Sequence, residues 1–227
     1  MIRNFVCGIF LFVFLSDLSG QTADLSMEQV SREFKKLKTF TANIRMEFDI
    51  PYVRLEPVPG KLYFRQPDDF RIKTEGIAFL PKQNPFYSMG LLSDPNSFTL
   101  IDLGSAKIDG KDSRQIQMVP KSESDIVIGK VWIDPQRKRP LKFELTTRQN
   151  GTLDITYRYQ PSNSGILPDE MVFGIDVGKF KMPKALTAEL NSTAKPVKPQ
   201  NGDTRGLITL KFSGVQTNLP LSDKVFK

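Results

Sequence analysis

Histidine is absent from all 227 residues, which removes imidazole acid-base work, histidine metal ligation and the serine-histidine-acid triad. The one cysteine, Cys7, lies inside an apolar run with no small-residue cleavage motif before it, which makes it a poor point of lipid attachment. Two carboxylate pairs remain, Asp68-Asp69 and Asp169-Glu170. Each is adjacent in sequence and sits beside a proline, a pattern that suits a solvated turn better than two carboxyls sharing a proton over a substrate. The chain carries no glycine-rich phosphate loop, and its basic residues are not interleaved with aromatics as a nucleic-acid stacking surface requires. These residues point away from an enzyme, a metal site, a cofactor and a nucleic-acid partner.

What the chain has in quantity is apolar surface, including 17 phenylalanines and 7 methionines. From Phe40 to Ile50, apolar residues alternate with polar ones, so Phe40, Ile44, Met46 and Phe48 share one face of a half-buried strand. The return segment Gly60–Ile72 keeps Leu62, Phe64, Phe70 and Ile72 in one parity, with Pro67 marking a bend or an unpaired edge position. These eight side chains either line an apolar cavity or pack a solid core, and their breadth and adaptability favour a cavity. Between Pro85 and Pro95, Phe86, Tyr87, Met89, Leu91 and Leu92 break strand periodicity and would be costly as bare surface, so they are expected to form a lid over the cavity mouth. The competing expectation is that they pack permanently against the helix before the first strand.

The elements that position these residues are legible in order. Residues 1–20 read as a secretory signal: Arg3, an apolar run from Phe5 to Leu15, then small residues before Gln21. That run is shorter than the roughly 20 residues that cross a bilayer, so residues 21–227 are expected as one exported domain. Its formal charge is +7, and nearly all the excess falls after Gly178, where lysines interleaved with prolines suit a solvated loop better than the alternative, a patch for an anionic membrane surface or acidic partner. Ser26 and Gln29 resemble a capping box opening a helix to Lys38, with Val30, Phe34 and Leu37 as its apolar stripe. Strands are predicted over Ile77–Leu80, Phe98–Ile108, Arg114–Val119, Ile126–Ile133, Leu141–Thr147, Leu153–Tyr159, Met171–Val177 and Leu207–Phe212. Asp109-Gly110 and Asp134-Pro135 mark turns, and Asn150-Gly151 predicts a tight type I′ hairpin. About ten strands joined by hairpins argue for a mainly β fold, one antiparallel sheet curled into an open, incomplete barrel, with a β-sandwich as the alternative.

A resemblance sharpens this reading. The run Phe34–Ile44 followed by Gly60–Ile72 is similar to the opening of the outer-membrane lipoprotein carrier (LolA-like) family, in which a helix leads into a long strand, then a glycine, an apolar strand, a proline and an aromatic. Gly129-Lys130-Val131-Trp132-Ile133-Asp134-Pro135, Asn150-Gly151, Tyr157-Arg158-Tyr159 and Leu167-Pro168 resemble the related lipoprotein-sorting proteins. The resemblance implies an unclosed antiparallel barrel lidded by helices, whose cavity holds the acyl chains of lipoproteins crossing the periplasm. It also implies transient inner- and outer-membrane partners and a monomer. Carriers commonly place a lid-latching arginine directly before the proline of the second strand; this chain has Gln66 there, with Arg65 one residue earlier on the opposite face.

The expected ligand is therefore an acylated lipoprotein or a lipid. At about 0.8 kcal/mol per buried methylene, a 16-carbon chain contributes on the order of 12 kcal/mol, so a reversible carrier must hold its cargo incompletely. An envelope-stress sensor on the same fold and a structural envelope protein with a filled barrel are the two alternatives.

Overall fold

A computed structural model describes residues 18–51, 55–67, 69–74, 86–149, 151–176 and 205–226. Residues 1–17 of the proposed signal 1–20, Asp68, the predicted strand Ile77–Leu80, Pro85, Asn150 and the lysine-rich stretch after Gly178 up to residue 204 lie outside the described residues.

Alternation of apolar and polar residues produces the strands, and their order makes a barrel wall. Helix α1 (Leu18–Lys36) leads into β1 (Thr39–Asp49), β2 (Val58–Arg65) and β3 (Asp69–Thr74). A short helix α2 (Tyr87–Ser93) and a 3-10 turn (Pro95–Ser97) follow. The meander then runs through β4 (Phe98–Ile108), β5 (Lys111–Pro120), β6 (Ile126–Ile133), β7 (Pro140–Thr147), β8 (Gly151–Arg158), β9 (Glu170–Asp176) and β10 (Arg205–Thr217). Among the described residues they form one 10-stranded sheet in the order β3-β2-β1-β10-β9-β8-β7-β6-β5-β4. Every neighbouring pair is antiparallel, and only the pairing of β1 with β10 departs from chain order. The architecture is an open, mainly β barrel, because β3 and β4 do not pair with each other; a two-sheet sandwich is ruled out by the continuity of the sheet.

Local structure departs from the sequence reading in four places. Helical hydrogen bonding runs back through residues 18–25, which contain no proline, so Ser26 is an interior, buried residue and not the N-cap. The segment Gly60–Ile72 is a hairpin: the chain turns at Gln66-Pro67 and pairs Leu62 with Ile72 and Phe64 with Phe70, which preserves the shared parity. The β7–β8 hairpin pairs Thr147 with Gly151, leaving three intervening residues, and Gly151 takes φ +72° at the strand start, as in a turn followed by a bulge. The two-residue left-handed turn occurs instead at Asp109 (φ 49°) and Gly110 (φ 76°), between paired Ile108 and Lys111. Strand β10 extends to Thr217 because its C-terminal half stays paired with the start of β1 past a bulge.

The core lies on the concave side. A continuous inner row runs across the sheet through Ile208, Phe173, Ile155, Phe143, Val131 and Ile116, all fully buried. Met27, Val30 and Phe34 of α1 and Leu37 just after it join the same core, so the helix lies inside the curl of the sheet. The exposed edge β4 carries a bulge at Asp102–Gly104, where the nearly buried Asp102 carboxylate pairs with Arg114 at 2.6 Å and accepts from the Gly104 amide at 2.8 Å. A bulge and an inward-facing charge both discourage another strand from adding there.

Candidate functional site

The inner faces of β1, β2 and β3 carry the eight residues predicted to line a cavity. Phe40, Ile44, Met46, Leu62 and Phe64 are buried, while Phe48, Phe70 and Ile72 are partly buried against the same core. Their neighbour is Phe86, which precedes α2 and enters the curl of the sheet. Its ring centroid lies 5.7 Å from Phe40, 5.8 Å from Phe64 and 6.1 Å from Phe70. It also meets Phe212 of β10 at 6.4 Å, and Phe40 stacks on Phe64 at 5.0 Å. Tilted and edge-on ring contacts of this kind add to simple burial. In this conformation three of the eight, Phe40, Phe64 and Phe70, pack their rings around Phe86.

Of the five residues predicted as a lid, Phe86, Met89 and Leu92 are buried, Leu91 is partly buried and Tyr87 is exposed. Two polar contacts hold α2 down. The Tyr157 hydroxyl on β8 donates to Ser88 Oγ at 2.7 Å, and Ser31 Oγ on α1 donates to the Ser93 carbonyl at 2.7 Å. Burial pushes the Tyr157 pKa well above the ordinary tyrosine value, opposed by the bond to Ser88. The phenol therefore remains a neutral donor.

Gln66 is not an unused replacement for arginine. Its side-chain amide donates to the Phe34 carbonyl at 2.6 Å and its backbone amide to the Lys38 carbonyl at 2.9 Å, tying the β2–β3 turn to the end of α1. Arg65 faces outward, where it binds Asp69 at 2.8 Å and Asp223 and lies 4.5 Å from the Phe226 ring.

Open volume lies beside the aromatic cluster. A small hollow of about 10 Å³ between α1, α2 and the β2–β3 turn touches Phe34, Leu37, Phe64 and Met89; it has room for about one water. A groove of about 560 Å³ runs between α1, the β8–β9 loop and the exposed end of β10. Leu37 and Phe212 form part of its lining, with Ile166, Leu167 and Val215 as further apolar contacts. Because Phe212 also touches Phe86, the groove and the ring cluster are separated by one side chain. None of the residues predicted for cavity or lid lines the groove. Phe212 was visible in sequence as the third apolar residue of the alternating series Ile208, Leu210, Phe212; its role was not, because parity does not reveal that β10 neighbours β1.

The groove's loop wall is held by a buried cation. The Arg139 guanidinium lies 3.7 Å from the centre of the Tyr159 ring, and its Nη1 donates to the Asn163 carbonyl at 2.7 Å. Burial pushes its pKa below the ordinary arginine value. Of the carboxylates considered for catalysis, the three described are engaged locally. Asp169 accepts from the Gln160 amide at 2.7 Å and Asn163 Nδ2 at 2.8 Å, Glu170 faces Arg158 at 3.7 Å, and Asp69 binds Arg65. Among the described residues, no three histidine, cysteine or acidic side chains converge as metal ligands.

An open antiparallel barrel with helices inside its curl is the observation that decides the comparison with known structures. The fold is similar to that of solved LolA superfamily and lipoprotein-sorting structures. A LolA superfamily protein from Nitrosomonas europaea aligns over 90% of this chain and 97% of its own, with a TM-score of 0.55 at 12% identity. An outer membrane lipoprotein-sorting protein domain from Vibrio parahaemolyticus aligns over 90% and 97%, at 0.53 and 14% identity. A DUF1329 family protein from Desulfovibrio piger aligns over 91% and 97%, at 0.54 and 10% identity. No protein-family model and no curated protein matches the sequence. At these identities the LolA-like relationship is one of fold.

Proposed function

We propose that this protein is a periplasmic carrier that receives the acyl chains of lipoproteins or lipids in its barrel and moves them toward the outer membrane. One observation carries the reading: Phe86, borne on the segment between the two unpaired edge strands, fills the space among Phe40, Phe64, Phe70 and Phe212, one residue from an open groove. Magnitudes favour its displacement. Burial of a phenylalanine is worth about 1.5–3 kcal/mol and a buried hydrogen bond about 1 kcal/mol, while a 16-carbon chain offers on the order of 12 kcal/mol. An entering chain therefore replaces the Phe86 contacts and the Tyr157–Ser88 bond with energy remaining, and α2 acts as the lid. Residues 1–20 direct export, residues 21–227 form the single binding domain, and the carrier acts as a monomer.

Delipidated protein titrated with a fluorescent fatty-acyl probe tests the reading. Saturable binding is expected, lost in Phe64→Glu and in Phe48→Glu, because a charge among bound methylenes lacks a partner. Absence of saturable binding by the parent chain, or undiminished binding by both variants, means a permanently filled barrel.

A further inference from the structure

Most charged side chains described on the convex face of the sheet are paired. Glu47 holds Lys211 at 2.8 Å and Arg45 at 3.3 Å, Lys142 meets Glu144 at 2.7 Å, and Arg205 binds Asp154. The β2–β3 hairpin departs from this pattern. Its outward residues include Lys61, Tyr63, Arg71 and Lys73, and the register sets Lys61 directly opposite Lys73 and Tyr63 directly opposite Arg71. Like charges facing each other across an antiparallel pair oppose folding. Lys61, Arg71 and Lys73 are exposed and have no carboxylate partner among the described residues. Both lysine ammonium groups lie close to the Tyr63 ring, at 5.7 Å and 5.6 Å from its centroid, within the reach of a cation-π contact.

Protection of a sheet edge accounts for cations on β3, which is an edge strand. It does not account for Lys61, which lies on the interior strand β2 and adds repulsion without guarding an edge. A recognition site for one small anion would draw its donors toward a point, whereas these three cations are spread over two strands around an aromatic ring. We propose that the outer face of the β2–β3 hairpin docks the protein on the anionic phospholipid surface of a bilayer. Three cations without a carboxylate partner among the described residues meet headgroup phosphates, and the amphipathic Tyr63 ring settles at the level of the headgroups. The proposal stands apart from the acyl-binding reading, because these side chains face away from the barrel interior.

Co-sedimentation of the full chain with vesicles tests it. Binding is expected to vesicles of mixed phosphatidylcholine and phosphatidylglycerol, to weaken as salt rises, and to be absent with phosphatidylcholine alone. Each cation at such a surface is worth about fivefold in affinity, so Lys61→Gln, Arg71→Gln and Lys73→Gln together should weaken binding on the order of 100-fold. Arg45→Gln with Lys211→Gln, which removes cations already paired to Glu47, should change it much less. The triple variant relieves a like-charge pair, and Arg71→Gln alone, at about fivefold, provides an independent reading. Equal binding to both vesicle types, or unchanged binding by the triple variant, overturns the proposal. So does displacement from vesicles by stoichiometric acidic peptide, which would assign the face to a protein partner. Acyl-probe affinity, measured in parallel, should be the same in the triple variant and the parent.

Discussion

The two halves of the barrel wall are built from the same alternation but filled differently. Across β5 to β9, the inner residues Ile116, Val131, Phe143, Leu145, Ile155 and Phe173 are almost wholly buried against one another and their neighbours. Across β1 to β3 half of the eight inner residues are phenylalanines, Phe48, Phe70 and Ile72 remain partly open, and Phe40, Phe64 and Phe70 meet Phe86, which belongs to the segment between the edge strands. Interdigitated core resists change of volume, while a face covered by a separable segment tolerates exchange of what covers it. One half is scaffold, and the other is suited to receive a ligand.

The largest expected effect breaks the scaffold half. Phe143→Ala should cost about 3–5 kcal/mol in urea unfolding, since the site is enclosed and cannot collapse. Probe affinity of the molecules that remain folded should stay unchanged. Phe86→Ala is the contrasting case. It should cost less, about 3 kcal/mol, because the groove one side chain away lets neighbours relax, and it should raise acyl-probe affinity by removing the side chain a ligand must displace. Equal costs for the two variants, or weaker probe binding by the second, would erase the distinction between the halves.

Gly60 sharpens it on the aromatic side. A Cβ there would sit 2.7 Å from Thr74 Cγ2 and 2.9 Å from the Lys73 carbonyl oxygen. Gly60→Ala should therefore push β3 away from β2 at a cost of about 1–3 kcal/mol, visible as a lowered thermal midpoint. The smallest effect reads the bond that joins α2 to the scaffold. Tyr157→Phe leaves buried Ser88 without its donor and should cost about 1–2 kcal/mol at neutral pH. The folded pKa of Tyr157 is raised, so its contribution is fully present below the unfolded value of 10.0 and is lost as pH rises above it. Parent stability should fall above pH 10 by up to about 1.4 kcal/mol per pH unit for each buried tyrosine. Urea midpoints at pH 9 and pH 11 should show a smaller drop in Tyr157→Phe than in the parent.

Much of this arrangement was legible in residues. The alternation from Phe40 to Ile50, the β4 and β6 boundaries and the turn at Asp109-Gly110 are local facts, and the structure places them as the sequence reading expected. Helix α1 was read short because Ser26 looks like a cap when only its near neighbours are considered. Pro67 left two readings open, and pairing of Phe64 with Phe70 settled them in favour of a hairpin. The groove was not legible at all, since it joins Glu33 of a helix, Ile166 of a loop and Phe212 of the last strand.

By itself, the sequence determined which side chains face inward, where most strands turn, and that histidine chemistry is excluded. Period-two alternation and turn preference act over a few residues, so composition and spacing suffice to read them. Only the tertiary structure decided that β1 lies against β10, that Phe86 packs among Phe40, Phe64 and Phe70, and that the open volume lies behind Phe212. Those outcomes depend on contacts between residues far apart in the chain. Parity names the face a side chain occupies, and the packing of distant segments decides whether the space before it is full or empty.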